Sequence, residues 1–214
     1  MVPVAASIVV MADTARRARG GRSQLALQER RSRILDAAID LFNERGYLGA
    51  TTDDIADAAH VTKRTLYRHV GSKERLLLQI HTNFIEEGLR RWQAVVKRGG
   101  TPTEVLANLV REHVRTVAEF QKAIRVFFEE MKHLDPDDRA VINEQRDRYE
   151  EILYDTLKAG VETGEFRELD IHIATLYILG GLTEIYRWYR PSGSMGVKSL
   201  SDFVVASVMR GVRA

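Results

Sequence analysis

Residues 60–76 read HVTKRTLYRHVGSKERL, and this stretch decides the fold. Thr62 is a typical helix N-cap, and the pair Gly71–Ser72 favours the end of the helix that Thr62 starts. Leu66 and Val70 lie four residues apart, so both side chains fall on one face of that helix. The opposite face is polar and basic. The stretch therefore predicts a short helix that packs through two apolar residues and leaves its cations exposed.

A second short helix is predicted over residues 52–59, just before this one. Thr51 and Asp54 have the spacing of a capping box, and the residues from Ile55 to Ala59 form a short apolar face. His60 and Val61 then make a tight turn. Two short helices joined in this way are typical of a helix-turn-helix.

The polar face of the second helix suits contact with duplex DNA. Lys and Arg can donate to guanine O6 and N7, and a threonine methyl group can touch a thymine methyl group. The hydroxyl groups of Thr52 and Tyr67 can donate to phosphates, and Lys73 lies in the first turn of the next helix. A solvated hairpin with ordinary surface charges would have the same spacing. The residues predicted to bind DNA are Thr52, Thr62, Lys63, Arg64, Thr65, Tyr67, Arg68 and Lys73.

Composition narrows the class of protein. The chain has 214 residues, of which 44% are hydrophobic and 29% charged, so it can form a core. It has no cysteine, which excludes disulfides and thiolate metal sites and suits a reducing cytoplasm. Residues 1–75 hold 13 Lys+Arg against 9 Asp+Glu, a net charge of +4, although the whole chain carries only +2. A local basic excess is typical of nucleic-acid binding. No membrane span is expected.

Helical periodicity continues along the rest of the chain. Residues 1–27 are predicted to be a flexible basic arm, residues 28–75 a helix-turn-helix head and residues 76–214 a larger helical domain. The fold class is all-α, with a three-helix head joined to a helical bundle and about nine helices in total. The first helix is predicted over residues 28–45, with Gly46 as its stop signal. The predicted helices beyond residue 60 are the one capped by Thr62, one from Ser72 to Gly99, and segments at 103–119, 121–133, 137–163, 170–190 and 199–212.

Two stretches carry a family resemblance. Residues 34–47, ILDAAIDLFNERGY, and residues 51–77, TTDDIADAAHVTKRTLYRHVGSKERLL, resemble the signature of the tetracycline-repressor (TetR) family of transcription factors. The resemblance implies a DNA-binding head on a helical domain that binds an effector and dimerises. The family usually has Gly where this chain has His60, which predicts a non-glycine residue at positive φ. It usually has Phe where this chain has Val70.

The larger domain has no enzyme signature, so neither catalysis nor a metal nor a cofactor is expected. Residues 171–189, IHIATLYILGGLTEIYRWY, are apolar on almost all sides of a helix and must be covered on several sides. Together with residues 199–212 they predict a homodimer interface of four helices.

A finer resemblance concerns the effector. Residues 123–153, residues 164–166 and the motif YRWYRPSG at 186–193 resemble effector domains of TetR regulators of fatty-acid, steroid and acyl-CoA metabolism. This implies an acyl-CoA or fatty-acyl effector, with Arg187 and Arg190 as candidates to bind its phosphates and Arg125 and Arg146 as further candidates. One alternative is another hydrophobic effector. The other is that these arginines form ordinary salt bridges with Glu129, Glu130 or Glu184. The predicted effector-binding residues are Trp92, Phe127, Phe128, Met131, Tyr149, Leu153, Tyr177, Arg187 and Trp188.

The expected function is a homodimeric, cytoplasmic repressor that leaves a palindromic double-stranded DNA operator when a small hydrophobic effector binds. One alternative is a TetR-like activator or a regulator that needs no ligand. The other is a helical enzyme or carrier that does not bind DNA.

Overall fold

The computed structural model describes the backbone of residues 5–214 and the side chains of residues 27–214. Within residues 5–214 every regular element is a helix, and the only β-type contact is an isolated bridge between Phe166 and Arg213. This confirms the all-α prediction. The helices are α1 (Ala5–Gly49), α2 (Thr52–Ala58), α3 (Lys63–Val70), α4 (Lys73–Arg98), α5 (Pro102–Glu119), α6 (Gln121–Glu130), α7 (Pro136–Glu162), α8 (Ile171–Thr183), α9 (Ile185–Trp188) and α10 (Val197–Val212), with a 3₁₀ turn at Met131–His133.

The chain folds as two compact units that divide between Leu76 and Leu77, here called the head and the body. In the head, α1, α2 and α3 share one apolar core. Leu66 is fully buried and Val70 is 2% exposed, as their four-residue spacing predicts. They meet a core that includes Ile34 and Ile55, both fully buried.

Helix α1 differs from its prediction. It begins at Ala5 and not near residue 28, in keeping with the alanines and arginines of this segment, which are strong helix formers. The predicted stop at Gly46 is visible as a residue with φ 71°, which interrupts the helical backbone. The side chains of the predicted basic arm, up to residue 26, lie outside the described residues, and so does the backbone of residues 1–4.

The turn between α2 and α3 follows its local signals. The Thr51 hydroxyl oxygen accepts a hydrogen bond from the Asp54 amide at 3.1 Å, and the Asp54 carboxylate accepts one from the Thr51 amide at 3.1 Å. These two bonds are the predicted capping box. The Thr51 hydroxyl also donates to the Asp54 carboxylate at 2.6 Å, and this bond, together with the one from the Thr51 amide, lowers the pKa of Asp54. His60 has φ 53°, so the expected non-glycine residue at positive φ is present.

The body surrounds a core in which Trp92, Phe127 and Leu153 are almost completely buried. The buried His81 ring joins α4 to α6, since its nitrogens lie 2.8 Å from the Leu77 carbonyl oxygen and 3.1 Å from that of Phe127. Burial lowers the pKa of His81.

The segment predicted as one helix over residues 170–190 is broken in the structure. Helix α8 ends at Thr183, and α9 starts at Ile185. The Gln121 side-chain amide donates to the carbonyl oxygens of Tyr186 and Tyr189, both at 2.7 Å. It thus satisfies carbonyl groups that the end of a helix leaves unpaired. Apolar periodicity could not reveal this long-range bond.

Gly160 in α7 is the tightest glycine contact of the body. A Cβ atom at this position would lie 1.9 Å from the Phe166 ring, which is 2% exposed. The Phe166 amide donates to the Gly160 carbonyl oxygen at 2.9 Å, so the ring cannot easily move away.

We predict that Gly160→Ala lowers the free energy of unfolding by about 2 kcal/mol or more, because overpacking outweighs the gain of about 1 kcal/mol in helix propensity. The matched control is Gly196→Ala, which adds the same methyl group where no atom lies within 4 Å. Urea denaturation of both variants tests the prediction. Equal effects of the two substitutions would contradict it.

Candidate DNA-binding surface and effector cavity

Helix α3 and the start of α2 bring most of the predicted DNA contacts to one surface of the head. Lys63, Arg64 and Arg68 are exposed, and Tyr67 is 41% exposed. The hydroxyl groups of Tyr67 and Thr52 lie 3.2 Å apart. The two predicted phosphate donors therefore lie side by side on this surface.

The cations of this surface are not equivalent. The Lys63 ammonium group lies 2.8 Å from one carboxylate oxygen of Asp53 and 3.0 Å from the other, and this hydrogen-bonded pair raises the pKa of Lys63. Among the residues whose side chains are described, Arg64 and Arg68 form no ion pair. They can donate to a base edge at once, whereas Lys63 must first leave Asp53.

Two threonines of α3 serve the helix itself. The Thr62 hydroxyl oxygen accepts a hydrogen bond from the Thr65 amide at 3.2 Å, which is the N-cap that the sequence predicts. The two threonine hydroxyl groups lie 2.9 Å apart. Only the methyl groups of Thr62 and Thr65 then remain fully available for base contacts.

Lys73 is positioned by an aromatic residue that the site prediction omits. Its ammonium group lies 4.4 Å from the centre of the Tyr47 ring, a cation–π geometry. The Tyr47 hydroxyl donates to Glu74 at 3.3 Å, and burial together with Glu74 raises the pKa of Tyr47 to about 12. The aromatic residue after Gly46 in the sequence was the available signal.

The body contains a cavity of about 370 Å³. Helices α4, α5, α6, α7 and α8 all contribute to its wall. The apolar lining residues are Phe84, Ile85, Val117, Ile124, Phe127, Phe128 and Leu179, and the others are Gly88, His113, Thr116, Asn143, Arg146, Asp147, Tyr149, Glu150 and Thr183. The volume lies within the range of about 300–1,000 Å³ that is usual for small-molecule sites.

Three of the nine predicted effector residues line this cavity, namely Phe127, Phe128 and Tyr149. Trp92 and Leu153 are fully buried behind the wall, where the Trp92 ring stacks on Tyr149 with 3.9 Å between ring centres. Met131 lies in the 3₁₀ turn and is not among the lining residues.

The other three predicted effector residues lie elsewhere. Tyr177 is 82% exposed and Trp188 is 55% exposed, and neither lines the cavity. Arg187 pairs with Glu184 at 3.1 Å and donates to the Tyr186 hydroxyl at 3.0 Å, in line with the salt-bridge alternative. The arginine in the cavity wall is instead Arg146, a further candidate in the sequence, whose guanidinium lies 6.0 Å from the centre of the Phe128 ring.

One part of the cavity wall is polar and buried. The His113 Nδ1 atom lies 3.0 Å from the Tyr149 hydroxyl. Neither His113 Nε2 nor Trp92 Nε1 has a hydrogen-bond partner among the described residues, although both atoms are buried. Burial lowers the pKa of His113 to about 4 and raises the pKa of Tyr149 well above its usual value. His113 is therefore neutral at pH 7. Sequence reasoning missed it because a lone histidine in an apolar helix carries no spacing signal.

Helices α8 and α10 share an exposed apolar face. Ile173 is 63% exposed, Leu176 48% and Phe203 69%, beside the still more exposed Tyr177. These side chains border an open groove of about 870 Å³. Soluble monomers rarely expose such a contiguous apolar patch, so this face is suited to a protein partner.

Among the side chains of residues 27–214, no group of three or more His, Asp or Glu residues could hold a metal ion. None of the helices described there is long and apolar enough to cross a membrane.

Comparison with known proteins agrees with this architecture. The profile described as "Bacterial regulatory proteins, tetR family" matches residues 34–80, and the one described as "Tetracyclin repressor-like, C-terminal domain" matches residues 99–212. The HTH-type transcriptional repressor KstR2 of Rhodococcus jostii (strain RHA1) is 31% identical over 185 residues, which cover 86% of this chain and 91% of the relative.

Two other similar proteins are named for a metabolic pathway or for a bound ligand. The fatty acid metabolism regulator protein of Bacillus subtilis (strain 168) is 27% identical over 181 residues, covering 84% of this chain and 93% of the relative. The crystal structure of AibR in complex with isovaleryl coenzyme A and operator DNA has a TM-score of 0.75 and 27% identity, covering 83% of this chain and 97% of AibR.

The exposed recognition helix, the all-α fold and these similarities define a helix-turn-helix transcriptional regulator. The chain belongs to the TetR family of bacterial regulatory proteins. Family membership confirms the predicted resemblance and the prediction of a regulator rather than an enzyme.

We predict that Asp53→Asn strengthens binding to duplex DNA of any sequence, because it releases Lys63 and removes a negative charge from the DNA-binding surface. It should also steepen the dependence of log K on log salt by about 1. The control is Asp57→Asn, which makes the same charge change at an exposed residue of α2 that has no ion pair among the described residues. Fluorescence anisotropy at several salt concentrations measures both. An equal gain in the two variants would mean that the Lys63–Asp53 pair has no specific role.

Proposed function

We propose that this chain is a homodimeric transcriptional repressor that leaves its palindromic operator when an apolar acyl compound enters the body's cavity. The observation that carries the proposal is that α4 contributes residues both to the DNA-binding head and to the cavity wall. This helix holds Lys73 beside the Tyr47 ring in the head, and it holds Phe84, Ile85 and Gly88 in the cavity wall. One helix therefore carries residues assigned to both functions.

DNA recognition is assigned to α3. Arg64 and Arg68 are its unpaired cations and supply base contacts, while Tyr67, Thr52 and Lys73 bind phosphates. A dimer of such heads reads two half-sites that lie about 34–36 Å apart along the duplex, or a little more. This spacing is the quantity that an effector must change.

The dimer interface is assigned to the exposed face of α8 and α10. A two-fold axis places the same patch of each subunit against its copy, so a self-complementary apolar face is suited to this role. Gly180 and Gly181 lie in this face, and a Cβ atom at either position would meet nothing within 4 Å. The space above them is open to a helix of the partner subunit.

The effector is assigned to acyl compounds, with a coenzyme A thioester as the leading candidate. At about 30 Å³ for each water-sized group, the 370 Å³ cavity holds on the order of a dozen carbon-sized groups. Such a cavity fits a medium-length acyl chain and leaves the nucleotide outside. Arg146 is the one cation among the lining residues, against Asp147 and Glu150. We therefore assign most of the binding energy to the acyl chain. AibR, a relative of the same fold, is known in complex with isovaleryl coenzyme A.

The coupling between effector and operator need not be large. A difference of about 1–3 kcal/mol in effector affinity between the two conformations changes operator affinity by about 5- to 150-fold. Contacts with Phe84 and Ile85 that exist in only one position of α4 can supply this difference. Release then follows from a shift in population.

The proposal predicts that the purified protein retains palindromic genomic fragments at physiological salt and releases them when octanoyl-coenzyme A is added. In Phe128→Ala, operator affinity should stay the same while the concentration for half-release rises about tenfold or more, since a buried aromatic contact is lost. Val141→Ala is the control, because Val141 is an exposed α7 residue outside the cavity wall. Retention without release by the wild type would refute the acyl effector and leave the DNA-binding assignment in place.

We further predict that Tyr177→Glu converts the dimer to a monomer and thereby lowers operator affinity, because it puts two charges into an apolar interface. Tyr154→Glu is the matched control, since Tyr154 is 36% exposed on α7 and lies outside the α8–α10 face. Sedimentation velocity measures the mass of both variants. A dimeric Tyr177→Glu protein would show that the interface lies elsewhere.

A further inference from the structure

The cavity wall contains one polar atom that the protein itself leaves unpaired. His113 is 8% exposed and lines the cavity, and its Nε2 atom has no hydrogen-bond partner among the described residues. More than nine in ten buried polar groups of native proteins have a partner, from the protein or from ordered water. The partner of Nε2 is therefore expected to come from whatever occupies the cavity.

The Tyr149 hydroxyl decides what kind of partner is needed. It lies 3.0 Å from His113 Nδ1, and two arrangements of hydrogens are open. If Nδ1 donated to the hydroxyl, the phenolic O–H would need another acceptor, and none is present among the described residues. If the hydroxyl donates to Nδ1, both atoms are satisfied and the proton of the neutral ring lies on Nε2. The second arrangement leaves a single N–H donor in the wall, and that donor needs an acceptor.

The charge of the acceptor is also constrained. Burial lowers the pKa of His113 to about 4, so the ring is neutral at pH 7 and does not offset a buried negative charge. The negative charge of Glu112 already acts on Tyr149 and helps to raise its pKa. A carboxylate at His113 would lose its hydration, and the neutral imidazole would supply no positive charge to offset that loss. An uncharged oxygen has neither problem.

We propose that His113, positioned by Tyr149, binds an uncharged carbonyl oxygen of the effector, so that the cavity accepts acyl thioesters, esters and ketones and excludes free acids. This inference rests on the proposed function, since it names the chemical group by which the same cavity recognises its effector. Phe84, Phe127 and Phe128 surround the hydrocarbon part of the ligand, and His113 fixes its position along the cavity.

A buried water is the competing occupant. Trp92 Nε1 is also unpaired, and the Trp92 and His113 rings lie 5.8 Å apart between centres. A water molecule could accept hydrogen bonds from both donors. In that case His113 would satisfy the wall itself and would not distinguish one effector from another.

The test compares two ligands that differ only at the carbonyl group. Octanoyl-coenzyme A has it, and the thioether S-octyl-coenzyme A has a methylene group in its place. Isothermal titration calorimetry should give at least about tenfold tighter binding of the thioester to the wild type, since the thioether leaves a buried donor unpaired. His113→Phe should bring the two affinities within about twofold. Octanoate should bind the wild type more weakly than either.

Three further variants serve as controls for the His113→Phe measurement. His113→Gln keeps an N–H donor and should keep part of the preference, which guards against an unfolded His113→Phe protein. Tyr149→Phe retains the ring but removes the hydroxyl group that keeps the His113 proton on Nε2. The preference for the thioester over the thioether should therefore fall, while both ligands still bind. Val117→Ala, in the apolar wall, should weaken both ligands by the same factor and leave the preference unchanged.

The possible failures are distinct. Equal binding of both ligands to the wild type, or a tenfold preference that persists in His113→Phe, overturns the carbonyl subsite and favours the water. In both cases an operator that is still released leaves the proposed function intact. Absence of binding by either ligand, together with an operator that neither releases, overturns the acyl effector and the subsite with it.

Discussion

The body depends on the way one ring, that of Tyr149 in α7, meets α4 and α5. The ring stacks on Trp92 with 3.9 Å between centres, and its hydroxyl reaches His113 at 3.0 Å. It also lies so close to Gly88 that a Cβ atom there would be 3.0 Å away. A side chain at residue 88 would push α4 away from α7, and the stack with Trp92, worth about 1 kcal/mol beyond the burial of its area, would be lost. The cavity lies beside this junction because α4, α5 and α7 also contribute residues to its wall.

An ion network fixes the same part of α4 from outside. The Arg91 guanidinium lies 2.6 Å from Glu87, 2.8 Å from Glu119 and 3.5 Å from Glu112, so it joins α4 to α5. Hydrogen bonds from Arg90 and Arg91 lower the pKa of Glu87 to about 2. The stabilisation that ionised Glu87 provides is therefore present above its usual pKa and is lost as the pH falls toward 2. Residues 87–92 of α4 are thus held firmly against α5. Phe84 and Ile85, one turn earlier, line the cavity, so the effector proposed above would contact α4 between this ion network and the His81 bond to α6.

The head was predictable from sequence because its determinants are local. Thr51 and Asp54 close a capping box three residues apart, and Leu66 and Val70 share a helix face at four. The cavity was predictable only in part, because hydrophobicity does not say which helix faces meet. Phe128 and Tyr177 are both aromatic residues in apolar helices. Phe128 lines the cavity, whereas Tyr177 is 82% exposed on the α8–α10 face. For Arg187 a local signal existed, since Glu184 lies three residues before it, within reach for an ion pair.

The polar part of the cavity wall is costly for the fold. A buried donor without a partner costs about 1–3 kcal/mol, so His113 Nε2 carries that cost wherever neither a ligand nor a water pairs with it, whereas an apolar residue of similar shape has no such cost. An all-apolar cavity, however, distinguishes poorly between ligands that differ by one polar group. A donor held by Tyr149 at a fixed depth makes a ligand without a matching acceptor bind less well, because that ligand leaves the cost in place. The same donor that is costly for the fold can therefore supply the selectivity that a regulator of this kind needs.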